Sequence, residues 1–137
     1  MIGLDLELNA ARLWRLRRKH YSIEGARCSS CGALFYPPRR ACPHCGSRDV
    51  ALSPLPRRGK LVAWTPLYDV GGNFEESRPL YIGVIDLGGA RVVLPLTDVF
   101  DERELLEGAE VELVFRRIVE AGSAGPIHYG LKARIAK

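Results

Sequence analysis

Residues 28–46 read CSSCGALFYPPRRACPHCG. This stretch holds all four cysteines of the 137-residue chain, spaced C-x2-C-x10-C-x2-C, and a glycine follows each pair. Two such turns can place four thiolates tetrahedrally around one ion, which is the pattern of a structural metal site. The predicted ligands are Cys28, Cys31, Cys42 and Cys45. All the sulfur is then committed to structure, so no cysteine remains as a nucleophile.

Other uses of these cysteines fit less well. Two disulfides are disfavoured because closely spaced cysteines form poor structural bridges and the chain carries no secretory signal. A redox C-x-x-C motif is expected beside a βαβ pattern, which this loop-rich stretch lacks. Zn²⁺ is the favoured ion, although iron in a rubredoxin-like cage uses the same ligands. His44, inside the second pair, is interpreted as a solvent-facing spacer.

The charge of the chain is unevenly distributed. Residues 1–60 carry 12 Lys or Arg against 4 Asp or Glu, a balance of +8, whereas residues 61–137 carry 8 against 12, a balance of −4. The basic half predicts an anionic partner, which could be nucleic acid, a phosphorylated cofactor or an acidic protein surface. Ordinary solvated arginines explain the same charges without any partner.

Nothing in the sequence resembles a membrane span or a targeting segment. No run approaches the ~20 consecutive apolar residues that a transmembrane helix needs, and no cleavable presequence opens the chain. We therefore expect a soluble, cytoplasmic protein, which agrees with reduced cysteines.

Three regions follow from the residue patterns: an N-terminal helical segment (residues 1–22), a zinc ribbon (residues 23–56) and a barrel domain (residues 57–137). A helix is predicted over residues 4–19, capped by Asp5 or Asn9. Its apolar stripe packs on the chain's own domain or docks on another subunit; the stripe comprises Leu6, Ala10, Leu13, Trp14 and Leu16.

The last region has the pattern of a β-barrel, so the predicted fold class is mainly β. Five strands rich in branched and aromatic residues are predicted at 59–68, 80–87, 91–97, 109–119 and 126–135. Gly88-Gly89 indicates a hairpin turn, and a short helix is predicted over residues 98–107, capped by Asp98 or Asp101. Pro66 and Pro95 indicate bulges or edges. Five strands with a helical insert after the third have the order of an OB-fold, whose ligand loop would here be residues 69–79.

The sequence offers no catalytic set. Thiolase-type chemistry needs a cysteine nucleophile with a histidine base, and every cysteine is predicted to bind metal. No G-x-S-x-G, Walker or G-x-G-x-x-G motif is present. The carboxylates at helical spacing, Asp101, Glu102, Glu104 and Glu107, are interpreted as a solvated face. A closed four-thiolate site also lacks the open coordination position that catalysis requires.

At this point the chain resembles the zinc-ribbon and OB-fold proteins known as domain of unknown function thirty-five, over nearly its whole length. The segments that carry the resemblance include residues 21–31, Phe35-Tyr36-Pro37-Pro38-Arg39, Cys42-Pro43-His44-Cys45-Gly46-Ser47 and Ile127-His128-Tyr129-Gly130-Leu131-Lys132. The resemblance implies a rubredoxin-like ribbon and a role as partner subunit of thiolase-superfamily enzymes in acyl-CoA metabolism. The expected function is that of a non-catalytic accessory subunit that helps hold or channel an acyl-CoA.

Coenzyme A or an acyl-CoA is the expected ligand because its diphosphate and 3′-phosphate suit bidentate arginines. The candidate contacts are Arg39, Arg40, Arg57, Arg58 and Lys60, predicted where ribbon meets barrel. A protein interface or simple solvation of the linker would explain the same cations.

Single-stranded nucleic-acid binding is the alternative function, since zinc ribbons and OB-folds both serve it. Stacking faces could come from Trp64, Tyr68, Phe74 and Tyr81. Two features disfavour it: the barrel half is net acidic, and aromatic residues in strands more often belong to a core.

Overall fold

The computed structural model describes residues 10–70, 78–120 and 127–136, and most of these lie in two antiparallel sheets. Two short helices come first, α1 (Ala10–Arg15) and α2 (Arg17–Tyr21). The strands are β1 (Glu24–Cys28), β2 (Leu34–Phe35), β3 (Val50–Pro54), β4 (Arg58–Leu67), β5 (Leu80–Leu87), β6 (Ala90–Pro95), β7 (Glu110–Glu120) and β8 (Ile127–Ile135). The fold is therefore mainly β, as predicted.

The first sheet is the ribbon. Its order is β2-β1-β3, and the central strand pairs Ala26 with Phe35 on one side and with Leu52 on the other. Strand β1 ends at Cys28, so the last residue of the central strand belongs to the cysteine cluster.

The second sheet is a nearly closed five-stranded barrel with the order β6-β5-β4-β7-β8. Leu96, just beyond β6, forms a parallel bridge with Ala133 of β8, and the Thr97 N–H donates to the Ala133 carbonyl at 2.8 Å. This contact joins the two outer strands. The five predicted strands and their order are thus confirmed, and so is the Gly88-Gly89 turn, which joins Leu87 to its partner Ala90.

Irregular pairing occurs where the barrel bends. The register of β4 against β5 shifts between Leu61 and Ala63, so the bulge lies earlier than Pro66. At Pro66 the strand pairs only with β5, because its pairing with β7 covers Arg58 to Lys60 alone. Pro95 ends an outer strand of the order. Both prolines therefore occupy edge positions, where a missing N–H leaves no ladder bond unmade.

The helix predicted over residues 98–107 is wrong in extent, because the structure has only a 3-10 turn at Glu102–Glu104. Asp101 caps it by accepting from the Arg103 N–H at 2.9 Å. Directly after the turn, the Leu105 carbonyl accepts the Trp64 indole N–H at 2.7 Å, and Leu105 itself is buried in the core. Asp98, the other proposed cap, accepts instead from Arg116.

At the N-terminus the described residues contain α1 and α2, which meet at Leu16. The proposed caps Asp5 and Asn9, and Leu6 of the apolar stripe, lie outside the described residues. Trp14 of that stripe is 67% exposed, so the tryptophan is not part of the core. Neither described helix has the length or the hydropathy to cross a membrane.

One hydrophobic cluster joins the two sheets. Leu34 and Leu55 of the ribbon pack with barrel residues such as Leu61, Ile85 and Val111. A second, smaller cluster surrounds the cysteines and consists of Ala26, Cys28, Phe35 and Cys42. Because the larger cluster spans both modules, the ribbon is packed onto the barrel and is not a free appendage.

Barrel closure should be sensitive to the volume at Gly59. A Cβ at this position would lie 2.2 Å from the Asp86 carbonyl oxygen and 2.8 Å from Leu87 Cδ2, so strands β4 and β5 would have to separate. We expect Gly59→Ala to lower the free energy of unfolding by about 2 kcal/mol or more. Urea unfolding measures this change. Thr65→Ala, at an exposed position of the same strand, is the control and should change it by less than ~0.5 kcal/mol; equal effects would contradict the packing argument.

Candidate metal centre and the groove beside it

Four cysteine sulfurs converge at the end of the ribbon. The Sγ atoms of Cys28, Cys31, Cys42 and Cys45 all lie within 4.8 Å of one another. The Cys28–Cys45 and Cys31–Cys42 Sγ pairs are each 3.6 Å apart. Bonds of about 2.3 Å to a tetrahedral ion would separate the sulfurs by about 3.8 Å. The set therefore fits one tetrahedral ion.

Each C-x2-C pair is held by its own backbone turn. The Gly32 N–H donates to the Cys28 carbonyl at 2.9 Å, and the Gly46 N–H donates to the Cys42 carbonyl at 3.0 Å. Gly32 and Gly46 have φ values of +74° and +76°, a region that glycine adopts without steric cost. The two turns are thus near copies of each other, as the glycine after each pair predicted.

The surroundings favour thiolates on the two buried cysteines. The backbone N–H of Cys31 lowers the pKa of the Cys28 thiol to about 6, against the opposing effect of burial. The backbone N–H of Cys45 likewise lowers the pKa of Cys42. Although the Ser47 N–H favours the Cys45 thiolate, the neighbouring Cys28 sulfur raises the pKa of Cys45. Four thiolates this close need a cation among them to be charged together.

Polar contacts outside the cluster connect the two turns. The hydroxyls of Ser30 and Ser47 are 3.0 Å apart, which links the first turn to the second. The side chain of His44 is exposed, as predicted for a spacer, while its backbone N–H donates to Cys42 Sγ at 3.4 Å. The arrangement is a closed four-sulfur metal site, whose chemistry is structural.

The five predicted coenzyme A contacts lie on two segments, and all five are exposed. Arg39 and Arg40 follow β2, whereas Arg57 precedes β4 and Arg58 and Lys60 lie within it. Arg58 is already engaged, since its guanidinium lies 3.7 Å from Glu110 and 3.6 Å from Glu112. Its positive charge is therefore largely balanced by the barrel's own carboxylates.

Arg58 belongs to a chain of ion pairs across the barrel surface. Glu112 also accepts from Arg134 at 2.7 Å, Arg134 lies 3.7 Å from Asp98, and Asp98 accepts from Arg116 at 2.9 Å. These contacts tie β4, β7 and β8 to the segment after β6. No sequence pattern indicated this network, because its members are brought together only by strand pairing.

An apolar groove of about 250 Å³ lies between ribbon and barrel. Its walls come from both modules and include Ile23, Tyr36, residues 92–95, Ile118 and Leu131. We call it the ribbon–barrel groove. Tyr36 stands only three residues before Arg39, so the arginine pair begins close to one wall of the groove. The sequence predicted a site where ribbon meets barrel but not the residues that line it, since residues 92–95 show no local sign of meeting residue 36.

A larger cavity of about 590 Å³ lies elsewhere on the barrel and includes Lys60. Asp86 and Glu107 also line it. Carboxylates beside the lysine make this cavity a poor site for phosphate groups, because like charges repel. The described residues that line the ribbon–barrel groove include no carboxylate, so this groove is the better match to the anionic coenzyme A.

Two of the residues proposed for base stacking, Trp64 and Tyr81, contact each other, and one of them is hydrogen-bonded to a carboxylate of the 3-10 turn. Trp64 packs on Tyr81, with ring centroids 6.0 Å apart, and the Tyr81 hydroxyl donates to Glu102 at 2.9 Å. That hydrogen bond and partial burial raise the pKa of Tyr81. Tyr68 is exposed, whereas Phe74 and residues 71–77 of the predicted ligand loop lie outside the described residues.

Metal removal should unfold the ribbon. We expect Cys42→Ser to lower the bound metal from about one ion per chain to almost none and to abolish the ribbon's cooperative unfolding, because structural metal binding supplies folding energy. Elemental analysis of the purified protein measures the metal and distinguishes zinc from iron. His44→Ala is the matched control within the same turn and should keep the ion. Normal metal content in Cys42→Ser would contradict the four-sulfur site.

Comparison with known proteins identifies both modules. Residues 17–51 match the ChsH2 rubredoxin-like zinc ribbon domain, and residues 53–116 match the ChsH2 C-terminal OB-fold domain. A DUF35 domain-containing scaffold protein of Pyrococcus furiosus is 38% identical over 128 residues, which cover 93% of each chain. The resemblance found in the sequence is thereby confirmed.

Two further relatives extend the comparison. Benzoylsuccinyl-CoA thiolase subunit BbsA of Thauera aromatica is 35% identical over 65 residues, 47% of this chain and 44% of that one. Among solved structures, a chain of the Ltp2-ChsH2(DUF35) aldolase superposes with a TM-score of 0.66 at 23% identity, covering 93% of this chain and 94% of that chain. The superposition supports the fold alone. Together, the matches to both modules and the similarity over the whole length show that the chain belongs to the DUF35 family of zinc-ribbon and OB-fold scaffold proteins.

Proposed function

We propose that this chain is a non-catalytic accessory subunit that binds a thiolase-superfamily enzyme and helps hold or channel an acyl-CoA during thiolysis or condensation. The observation that carries the proposal is the similarity to a DUF35 scaffold protein over 93% of both chains. The name of the BbsA relative as a thiolase subunit, and the aldolase complex that contains a DUF35 chain, indicate the class of partner.

The chemistry of the described residues supports a non-catalytic role. A thiolase-type reaction uses a cysteine thiolate as nucleophile, whereas all four cysteines here face one another within 4.8 Å. A bound ion with four sulfur ligands has no position left for substrate. The partner enzyme would therefore supply the nucleophile and base. The reduced thiolates that the site needs support a reducing compartment, such as the cytoplasm, for the proposed complex.

The ribbon–barrel groove supports acyl-CoA as the shared ligand. Its apolar walls suit an acyl chain or pantetheine arm, although about 250 Å³ is too small for a whole coenzyme. Arg39 and Arg40 are exposed beyond Tyr36 and could contact the diphosphate and 3′-phosphate. Arg57 is the next candidate, since Arg58 is paired with Glu110 and Glu112 and Lys60 lines an acidic cavity.

Nucleic-acid binding has less support. An OB-fold that binds single strands combines a basic groove with exposed aromatic rings. Trp64 and Tyr81 instead pack against each other, and each is hydrogen-bonded within the barrel. The barrel half also carries a balance of −4. Tight, salt-sensitive binding of single-stranded DNA or RNA would favour this alternative over the accessory subunit.

The partner should depend on this chain for activity. We expect a thiolase-superfamily enzyme of the same organism, purified without this chain, to be weakly active in acyl-CoA thiolysis or condensation and to regain activity when the chain is added. Activity assays across a titration of the chain measure the effect, and gel filtration checks for a complex. The Cys42→Ser protein is a control that should not restore activity, because its ribbon is not formed. Absence of any complex with the wild-type chain would sink the proposal.

Coenzyme A binding should depend on the arginine pair. We expect Arg39→Glu combined with Arg40→Glu to raise the dissociation constant for coenzyme A at least tenfold, because two charge-assisted contacts become repulsive. Isothermal titration of the complex measures it, with dephospho-coenzyme A to test the 3′-phosphate. Arg103→Glu, an exposed arginine on the barrel, is the matched control and should change the constant less than twofold. Equal affinities for the wild type, the double variant and the Arg103→Glu control would show that coenzyme A binds elsewhere.

A further inference from the structure

Several exposed apolar side chains lie in the N-terminal helices and the β7–β8 hairpin. Twelve large apolar residues among those described are exposed, and five of the twelve belong to the N-terminal helices and the β7–β8 hairpin. These five are Trp14, Tyr21, Phe115, Ile127 and Tyr129. Single exposed apolar residues need no explanation, but a contiguous group marks an interaction surface.

Three of these five side chains are aromatic rings in continuous contact, which we call the aromatic ladder: Tyr21, Phe115 and Tyr129. The Phe115 ring lies 5.3 Å from Tyr21 in an edge-on arrangement and 5.7 Å from Tyr129 in a stacked one. Their exposed fractions are 51%, 48% and 42%. About half of each ring is thus held rigidly by its neighbours while the other half meets solvent, which is how aromatic anchors are presented at interfaces.

Positive charge surrounds the aromatic ladder. Residues 10–23 contain five Lys or Arg and no Asp or Glu. On the hairpin, Arg117 pairs directly across from Tyr129. Burial, together with the charges of Arg117 and Arg116, lowers the pKa of Lys132. Arg116 and Arg117 are themselves paired with Asp98 and Glu120, so the excess of positive charge comes from the helical segment. Trp14 in α1 holds the Arg17 guanidinium 4.2 Å from its ring, so aromatic and cationic groups alternate along the helices as well.

We infer that the aromatic ladder, with the arginines of α1 and α2 around it, is the surface on which the partner enzyme docks, and that it fits an apolar patch with an acidic rim on that enzyme. The inference rests on the proposed function, which supplies the partner. Charge complementarity selects this occupant, because a segment with five Lys or Arg and no Asp or Glu, residues 10–23, repels basic surfaces and attracts acidic ones. Three half-exposed rings supply the apolar centre that such interfaces need.

The same charges argue against other occupants. A second copy of this chain would bring two arginine-rich helical segments together across a two-fold axis, which is unfavourable. An anionic lipid surface would select one long amphipathic helix, whereas the ladder is shared between a five-residue helix and two strands. A folded protein partner can match this composite shape.

Affinity for the partner measures the role of the aromatic ladder. The probe is the purified thiolase-superfamily enzyme that forms a complex with the wild-type chain, and biolayer interferometry gives the dissociation constant. We expect Tyr129→Ser to weaken binding at least tenfold, as truncation of an aromatic anchor does. Tyr68→Ser is the matched control, because Tyr68 is 66% exposed outside the ladder; it should change binding less than twofold.

A charge variant keeps the test valid if Tyr129→Ser disturbs the fold. Arg15→Glu combined with Arg18→Glu alters two exposed side chains and should weaken binding about tenfold while reducing its salt dependence. Arg48→Glu, an exposed arginine of the ribbon, is the control. Metal content and thermal midpoint must match those of the wild type.

Undiminished partner binding by both the ladder variant and the charge variant would overturn the inference. The proposed function would still stand, because the wild-type complex remains. Loss of self-association without loss of partner binding would assign the ladder to a second copy and would overturn the inference too.

Discussion

Convergence of four thiolates is the constraint on which the rest of this structure depends. The ribbon has strands of only five, two and five residues, which is too little sheet to be stable alone. An ion shared by four sulfurs fixes Cys28, the last residue of the central strand, against the two turns. Phe35 and Ala26 pack around the buried cysteines. Metal binding therefore stabilises the short strand β1 and holds it in a fixed position.

Strand β2 connects the cysteine cluster to the core of the barrel. Phe35 belongs to the cysteine cluster, and its neighbour Leu34 belongs to the large core shared with Leu61 and Val111. Adjacent residues of β2 thus face opposite directions and link the two clusters. Tyr36, the next residue, forms a wall of the ribbon–barrel groove. The three consecutive residues 34–36 thus contribute to the large core, the cysteine cluster and the groove. Loss of the ion would consequently alter the groove as well as the ribbon.

The features that could be predicted from the sequence are those determined by residues close together in the chain. The metal ligands followed from the spacing of four cysteines, and the strands followed from alternation and from turns such as Gly88-Gly89. The extent of the helix after β6 was not predicted correctly, because Leu105 is held in the core by residues distant in sequence, such as Trp64, which lies forty-one residues away and donates to its carbonyl. The groove and the aromatic ladder depend in the same way on distant pairings, such as Tyr21 with Phe115. Local pattern carries no information about them.

The groove and the aromatic ladder are built on the same short segments of chain. Tyr21 of the ladder stands two residues before Ile23 of the groove, and Tyr129 stands between His128 and Gly130, which both line the groove. A shift of β8 that accommodates a ligand therefore moves a ring of the docking surface. If an acyl chain in the groove changes the affinity for the partner enzyme, the partner changes the affinity for the acyl chain by the same factor, because linkage is reciprocal. Where that factor raises both affinities, the accessory subunit binds its ligand most tightly within the complex, where the catalytic groups are.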